Sequence, residues 1–570
     1  MNKKDLIKLL ETIAVYMELK GENSFKISAF RKAALAIETD DRSLSQISDF
    51  KTLKGVGKGT AAVIEEYIET GESSVLASLM KEVPEGLVPL LKLPGLGGKK
   101  IAKLYQELDV KNIDELKKAC EEHQVRGLAG FGAKTEEKIL AVIGEVGKRP
   151  DRLPISFMLP IAEELDKILS TISEVDRFSR AGSLRRARET IKDLDYIVST
   201  SMPAEVREKL VAISGVKEVV SNGDTKVSIV LDRGWDVSVD IRLVKEESFA
   251  TTLHHFTGSK DHNVKMRQLA KVRGEKISEY GVESVETGEV KHFSTESEFF
   301  DHFGLSFIPP EVREDGREVE KHKDSAVLIE RSQIRGDLHM HTTWSDGAYS
   351  LEEMIEACRA KGYEYMAITD HSHYLKVANG LSADRLEKQL EEIKQLNKKY
   401  SDIEILSGVE MDILPDGTLD YEDELLSKMD IVIASIHSSF SQSEEKIMKR
   451  LQTALENPHV DIIAHPTGRL LGKREGYKVN VEELIDMAAK TQTALELNAN
   501  PNRFDLSADY VELAQAKGVQ VVINTDAHDR THLDFMEYGV QVGRKGWLKP
   551  DSVLNTRSWK DLSRFLNRHT

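Results

Sequence analysis

At 570 residues the chain is too long for one ordinary core, so several domains are expected. No apolar run reaches membrane-spanning length, and the first residues (MNKKDLIKLLETIAVYMELK) carry acids and helical periodicity where a signal peptide carries an apolar block; no membrane partner and a cytosolic location are expected. The two cysteines, Cys120 and Cys358, are too few and too far apart for a disulfide or metal framework, and 79 basic against 96 acidic residues (net −17) argue against a simple nucleic-acid-coating protein. A local basic groove is still compatible with that balance, and Arg180, Arg185, Arg186, Arg188 and Lys192 form its candidate cluster. No segment points to an oligomeric surface, so a monomer is the default expectation.

The first 148 residues read as helices joined by glycine turns. Leu53–Gly59 (LKGVGKG), Leu93–Lys99 (LPGLGGK) and Leu128–Lys134 (LAGFGAK) share an apolar-x-Gly-apolar-Gly design followed by a helical stretch. Glycine permits positive φ and close approach of a ligand, and a helix N-terminus behind the turn aims N–H groups at an anion. One such turn is usually a plain connection between packed helices. Three in matching register favour phosphate binding; they resemble helix-hairpin-helix motifs, which implies contacts to a DNA backbone through Gly55, Gly57, Gly95, Gly97, Gly130 and Gly132.

From about residue 149 strands alternate with helices, with β-rich runs at DYIVST, VKEVVS, KVSIVLD and WDVSVDIRLV. Asp193 and Asp195, two apart at a strand start, project to one face, and Asp240 can join them from a neighbouring strand. Three converging carboxylates repel unless cations neutralise them; hard oxygens favour Mg²⁺ or Mn²⁺, and two such ions suit in-line phosphoryl transfer. Upstream, Gly182 and Ser183 precede Arg185 and Arg186, donors suited to a triphosphate. A lone Asp-x-Asp is more often a solvated strand end; the Gly-Ser turn and arginines reverse that preference. Adjacent His254 and His255 point apart and are not read as metal ligands.

AGSLRRARETIKDLDYIV resembles the palm of X-family DNA polymerases, and Phe256–Arg267 (FTGSKDHNVKMR) resembles the thumb motif of that family. ENSFKISAFRKAA is similar to the family's small DNA-end domain. The resemblance, over roughly residues 1–315, implies that Asp193, Asp195 and Asp240 hold two Mg²⁺ or Mn²⁺ ions, with Asp240 nearest the primer 3′-hydroxyl. It puts Gly182, Ser183 and Arg186 on the incoming triphosphate, Phe256 and Gly258 on the sugar, Asn263 on the minor-groove edge and Arg267 on the template. Two departures stand out. His255 replaces a tyrosine common before Phe256, so sugar selection cannot be carried over. Val63 occupies the position of the Schiff-base lysine of lyase members, and an alkyl group cannot replace an amine in that chemistry.

A charged run, Glu311–Lys323 (EVREDGREVEKHK), reads as a linker. Beyond Ile334 seven apolar runs alternate with amphipathic helices: RGDLHMH, EYMAITDH, IEILSGVEM, DIVIASIH, VDIIAHP, ALELNAN and VQVVINTDAH. Near-continuous apolar strands between helices indicate a covered parallel sheet, here a closed barrel whose strand C-termini share one mouth. Six of the seven runs end in metal-ligand types: His339 and His341, His371, Glu410, His437, His465, then Asp526 and His528. Asp346, in the WSDG turn, can reach the same mouth. Nine such groups exceed one tetrahedral site and imply two or three ions, with Glu410 as a bridge. His373, His459 and the histidines before residue 335 are read as ordinary structural residues.

HMHTTWSDG, ITDH, GVEMDI, SIHSS, AHP and NTDAH resemble the PHP family of metal phosphoesterases, which implies a (β/α)7 barrel with Zn²⁺, Mn²⁺ or Fe²⁺ and metal-assisted phosphodiester hydrolysis. Bacterial X-family polymerases carry this fusion. The resulting fold class is multidomain: a helical N-terminal region with helix-hairpin-helix motifs, an α+β nucleotidyltransferase palm and thumb, and a C-terminal (β/α)7 PHP barrel. The boundaries are 1–75 for the small DNA-end domain with the first hairpin, 76–148 for helical fingers with the second and third, 149–245 palm, 246–315 thumb, 316–334 linker and 335–570 barrel. The implied activity is DNA repair on gapped or primed DNA with dNTPs, plus 3′→5′ exonuclease and 3′-end processing, with abasic-site cleavage a further implication. A small-molecule phosphatase and a non-catalytic DNA adaptor are the competing functions; the three glycine turns oppose the first and the two ligand sets oppose the second.

Overall fold

The computed structural model describes residues 3–38, 40, 42, 44, 47–93, 96–145, 150–321 and 327–569. Helices Lys3–Lys20, Ser24–Glu38, Lys58–Thr70 and Ser74–Glu82 each turn one apolar face inward, around Leu6, Leu10, Ile13, Phe30, Ile37 and Ile64. Val63 is part of this core. A second helical core gathers Leu90, Leu104, Leu116, Val125, Phe131 and Ile139 from helices Gly98–Leu108, Ile113–Glu121 and Ala133–Glu145 and the turns between them. There the wholly buried Glu136 accepts hydrogen bonds from the Arg126 backbone N–H (2.8 Å) and Nε (2.7 Å), tying the third glycine turn to the helix behind it.

The next unit is a mixed five-stranded sheet. Its strands are β1 (Arg177–Arg180), β2 (Leu194–Ser199), β3 (Val216–Asn222), β4 (Lys226–Asp232) and β5 (Asp236–Val244), in the order β1-β2-β5-β4-β3. All four predicted β-rich runs are strands; β1 (RFSR), with no buried position, carries no alternation and escaped the sequence reading. In β5 buried and half-buried residues alternate, as expected of a strand with one face on a core, and helix Ile155–Thr171 packs its apolar side into that core. Helices Phe249–Thr257 and Lys260–Val272, a small antiparallel sheet and helix Glu296–His302 follow, around Phe293, Phe299, Phe300 and Phe303.

The linker reading is corrected in part. Within 311–321, Glu311, Val312, Arg313, Glu318 and Val319 are buried, because each charge meets a partner. Arg313 donates to Glu296 (2.6 Å), and Glu318 lies 2.7 Å from His262 Nδ1. A charge run whose members are paired behaves as core, not as a solvated tether.

Seven parallel strands complete the chain in sequential order: β6 (Gly336–Asp337), β7 (Tyr365–Ile368), β8 (Glu404–Asp412), β9 (Ile431–Ser435), β10 (Ile462–Ile463), β11 (Ala494–Asn498) and β12 (Val521–Asn524). Each of the seven predicted runs supplies one. The first and last meet through the Met340–Ala527 bridge, which nearly closes the barrel. At the strands' N-terminal end, helix Trp559–Leu566 packs its Trp559, Leu562 and Phe565 against Tyr365 and neighbouring core residues. The apolar cores of the mixed sheet and of the barrel run into one another.

Two candidate cation sites

The barrel mouth brings all nine predicted ligand side chains together. His341, Asp346, His371 and His528 offer ligand atoms within 4.8 Å of one another, as do His339, His341, Glu410 and Asp526, and again His371, Glu410 and His437. Glu410, at 0% exposure, belongs to two of these groups, and His465 Nε2 lies 2.9 Å from its Oε1. Parallel strands carry these residues there because every strand ends at the same rim.

The donors are poorly satisfied by one another. Glu410 Oε2 lies 3.0 Å from His371 Nδ1, 3.3 Å from His339 Nε2 and 3.4 Å from His341 Nε2, yet makes no hydrogen bond; His341 Nδ1, His371 Nδ1 and Asp346 Oδ1 are likewise buried without a hydrogen-bond partner among the described residues. Such a set fits divalent cations, since buried lone pairs without donors are costly. Burial and the neighbouring His528 and His371 push the His341 imidazole down to about 3, leaving it neutral and able to ligate. Burial opposes, but Glu410 and Asp412 overcome it and raise His437 to about 10. His339 is raised well above its ordinary value: Glu496, Asp526 and Glu410 outweigh burial. Burial would raise Glu410, yet His437, His371 and His339 hold it well below the usual carboxylate range. Positive charge is what this cage demands, and protons supply it where ions do not.

A supporting layer was missed in the sequence. Glu496, in the one run without a terminal ligand, is fully buried; its Oε1 lies 2.7 Å from His339 Nδ1 and its Oε2 accepts from the His465 backbone N–H (2.6 Å). Asp412 lies 3.3 Å from His437 Nδ1, and Asn498 donates to Asp526 (3.0 Å). Partners of this kind fix ring orientation and tautomer. The available signal was an acid in the middle of an otherwise apolar strand.

In the mixed sheet, Asp195 on β2 and Asp240 on β5 are direct register partners. Asp193 immediately precedes β2. Asp240 accepts from Ser228 Oγ (2.6 Å) and Lys226 Nζ (3.0 Å). Burial, then the charges of Asp193 and Asp240, raise Asp195 to about 7. The three carboxylates form no cluster as tight as the barrel's. Gly182, at φ +59°, is pressed so close that a Cβ there would sit 2.0 Å from Asp195 Oδ2. That cradle and the under-neutralised Asp195 fit a hard divalent cation.

Ser183 follows Gly182 on the short helix Gly182–Arg185, with Arg186 next in the chain. Arg186 donates to the Thr257 carbonyl and lies against Gly258, which has φ +68°. Phe256 lies under the Arg242 guanidinium (4.4 Å), Asn263 donates to the His255 carbonyl (2.8 Å) and keeps a buried Oδ1 without a partner, and Arg267 is exposed. His254 and His262 form a buried pair at 3.0 Å whose imidazoles burial drives toward the neutral form.

The glycine turns divide into two kinds. Gly55 (φ +114°, with Lys32 O 3.1 Å from an added Cβ) and Gly130 (φ +90°) are glycines for backbone reasons. Gly57, Gly97 and Gly132 have no positive φ and nothing within 4 Å of an added Cβ, so nothing inside the chain requires glycine there. Gly57 and Gly97 are the N-caps of the following helices. Gly95 lies outside the described residues.

Family models match along the chain: a helix-hairpin-helix domain over residues 1–73, a SAM-like helix-hairpin-helix tandem over 87–145, the DNA polymerase beta thumb over 252–314 and a PHP domain over 337–500. A DNA polymerase/3′-5′ exonuclease PolX of Bacillus subtilis is 64% identical over 569 residues, covering 100% of both chains. A probable phosphatase of Thermoanaerobacter sp. is 30% identical over 235 residues (39% of this chain, 89% of the relative), and one of Caldanaerobacter subterraneus 32% identical over 204 (34% and 75%). The phosphatases match only part of the chain, whereas the polymerase matches all of it. The chain therefore belongs to the bacterial PolX family, in which an X-family DNA polymerase core is joined to a C-terminal PHP domain.

Proposed function

We propose that the chain is a bifunctional DNA repair enzyme: its palm fills short gaps by template-directed dNTP addition, and its barrel removes nucleotides from 3′ ends. What supports this reading most is that one chain brings ligand-type side chains together on two different folds, nine around the barrel mouth and the register pair Asp195 and Asp240 in the mixed sheet, while Gly57, Gly97 and Gly132 leave open space at the glycine turns. The domain boundaries given above are part of the proposal, with 311–321 assigned to the packed thumb–barrel junction.

In the palm, Asp193, Asp195 and Asp240 are the residues that would hold two Mg²⁺ or Mn²⁺ ions. Gly182, Ser183 and Arg186 orient the triphosphate. Phe256 and Gly258 seat the sugar, Asn263 reads the minor-groove edge and Arg267 holds the template. Gly182 leaves the backbone space to approach Asp195, which a methyl group would fill. In the barrel, His339, His341, Asp346, His371, Glu410, His437, His465, Asp526 and His528 would hold two or three Zn²⁺, Mn²⁺ or Fe²⁺ ions. When bound, the ions at each site polarise phosphoryl oxygens and stabilise the charge that develops in displacement. Glu496 and Asp412 hold the His339 and His437 rings in place. Val63, packed in a core, offers no amine for lyase chemistry.

Labelled gapped DNA with dNTPs and Mg²⁺ or Mn²⁺ tests the division of labour. Asp195→Ala is expected to lose primer extension and keep shortening, and His339→Ala to do the reverse. Loss of both activities in either variant refutes two independent sites. The competing reading is a phosphatase for a small phosphoester, the partial relatives being named probable phosphatases; such an enzyme would act on a phosphorylated metabolite faster than on DNA.

A further inference from the structure

We propose that Lys545, a residue of the barrel domain, is a positioning residue for nucleotide addition in the palm: it draws the Glu314 carboxylate away from Arg186, so that Arg186 stays available to the incoming triphosphate. This rests on the reading of Arg186 as a triphosphate ligand.

Lys545 ends helix Met536–Lys545 on the outside of the barrel. Its Nζ lies 2.6 Å from Glu314 Oε1 and donates to the Arg186 carbonyl (3.2 Å) and the Glu311 carbonyl (3.4 Å). The same Glu314 carboxylate lies 3.4 Å from Arg186 Nε and 3.2 Å from Arg188 Nη1. One carboxylate thus serves three cations. The side chains of Lys545 and Arg186 are only 16% and 14% exposed, so water screens these contacts weakly.

The remaining contacts fix the geometry around this carboxylate. Arg186 donates to the Thr257 carbonyl, and the Ser259 N–H of the same turn donates to the Arg313 carbonyl (3.0 Å). Ser259 Oγ donates to the Glu314 carbonyl. From the barrel side, Arg544 pairs with Glu311 (3.2 Å). Residues 311–314 are therefore gripped by the barrel on one side and by the thumb turn on the other. Other contacts across the junction, Arg469 with Glu189 (2.6 Å), Tyr538 with Glu163 (2.5 Å) and Arg317 with Glu512 (3.0 Å), touch no predicted site residue.

The consequence follows from competition. Glu314 and a triphosphate are both anions seeking the Arg186 guanidinium, and binding the second requires loosening the first. A carboxylate shared with a buried ammonium is a weaker competitor than one left to two arginines. Burial, with repulsion from Arg188 and Arg186, lowers Lys545, while Glu314 opposes the shift. An ammonium held at such a place is costly unless a carboxylate pairs with it, as Glu314 does at 2.6 Å. The barrel thereby sets the nucleotide affinity of a site it does not line.

The full-length chain tests this on gapped DNA with a dNTP titration, paired with equilibrium dNTP binding. Lys545→Met is expected to raise KM for the dNTP about tenfold with kcat within about twofold, and to weaken dNTP binding in parallel. The 3′→5′ exonuclease of the same preparation should be unchanged. Lys545→Arg should bring KM back to within about threefold of the parent, and so should Glu314→Gln added to Lys545→Met, because the competing charge is then gone. An unchanged KM in Lys545→Met overturns the proposal; so does a defect that Glu314→Gln does not relieve, or one in which exonuclease falls equally, which would mark a collapsed junction. Arg186→Ala separates the two layers. If it leaves KM untouched, the underlying assignment of Arg186 fails; if it raises KM while Lys545→Met does not, only the role of Lys545 fails.

Discussion

Asp195 and Asp240 face each other as register partners across the parallel pair β2–β5, and Asp195 is raised to about 7 by burial and by its two carboxylate neighbours. A carboxyl that holds its proton more tightly folded than unfolded stabilises the fold below its unfolded pKa, and that stability is lost as pH rises through the folded value. In metal-free protein the melting temperature of the parent, relative to Asp195→Asn, should therefore fall between about pH 4 and pH 7. Adding Mg²⁺ above pH 7 should stabilise the parent more than the variant. A pH-independent difference between the two proteins would refute the electrostatic account of this site.

The barrel cage, too, holds protons that a cation must displace. His437, raised to about 10, and His339, raised well above its ordinary value, must give up protons before they can ligate an ion. Uptake of Zn²⁺ or Mn²⁺ should release protons, and apparent affinity should climb as pH rises from about 6 to 9. Calorimetry in buffers of different ionisation enthalpy measures that release; buffer-independent heats would contradict it.

Glu496 supports His339 and the His465 backbone without being counted among the ligands. Glu496→Gln should keep the fold and primer extension while lowering barrel metal affinity by about 10- to 100-fold, with exonuclease falling alongside. Equilibrium dialysis against a metal indicator reads the first effect directly. Full metal occupancy at parent affinity would remove Glu496 from the account.

Gly97 and Gly132 have open space where a Cβ would go and no positive φ. Gly97→Ala and Gly132→Ala should leave the melting temperature within about 1 °C while weakening binding to gapped DNA several-fold, since only an approaching backbone would meet the methyl group. Gly55→Ala, at φ +114°, should lower stability instead. Equal effects on stability from Gly55 and Gly97 would show that both glycines serve the fold alone.

The sequence by itself was enough for the barrel and its cage. Seven apolar runs with ligand types at six of their ends can hardly be arranged otherwise, because parallel strands put all their C-termini on one rim. Asp195 on its strand and the glycine turns were legible because strand patterning and turn chemistry are local; Asp193 lies one residue before the strand, outside its alternation. Tertiary structure alone decided the rest. That Asp240 stands opposite Asp195, that Glu496 backs His339, that Glu311, Arg313 and Glu318 are core and not linker, and that Lys545 reaches Arg186 across 359 residues of sequence are all pairings between distant segments. Periodicity tells which face of an element is buried; only packing tells which charge from elsewhere in the chain comes to meet it.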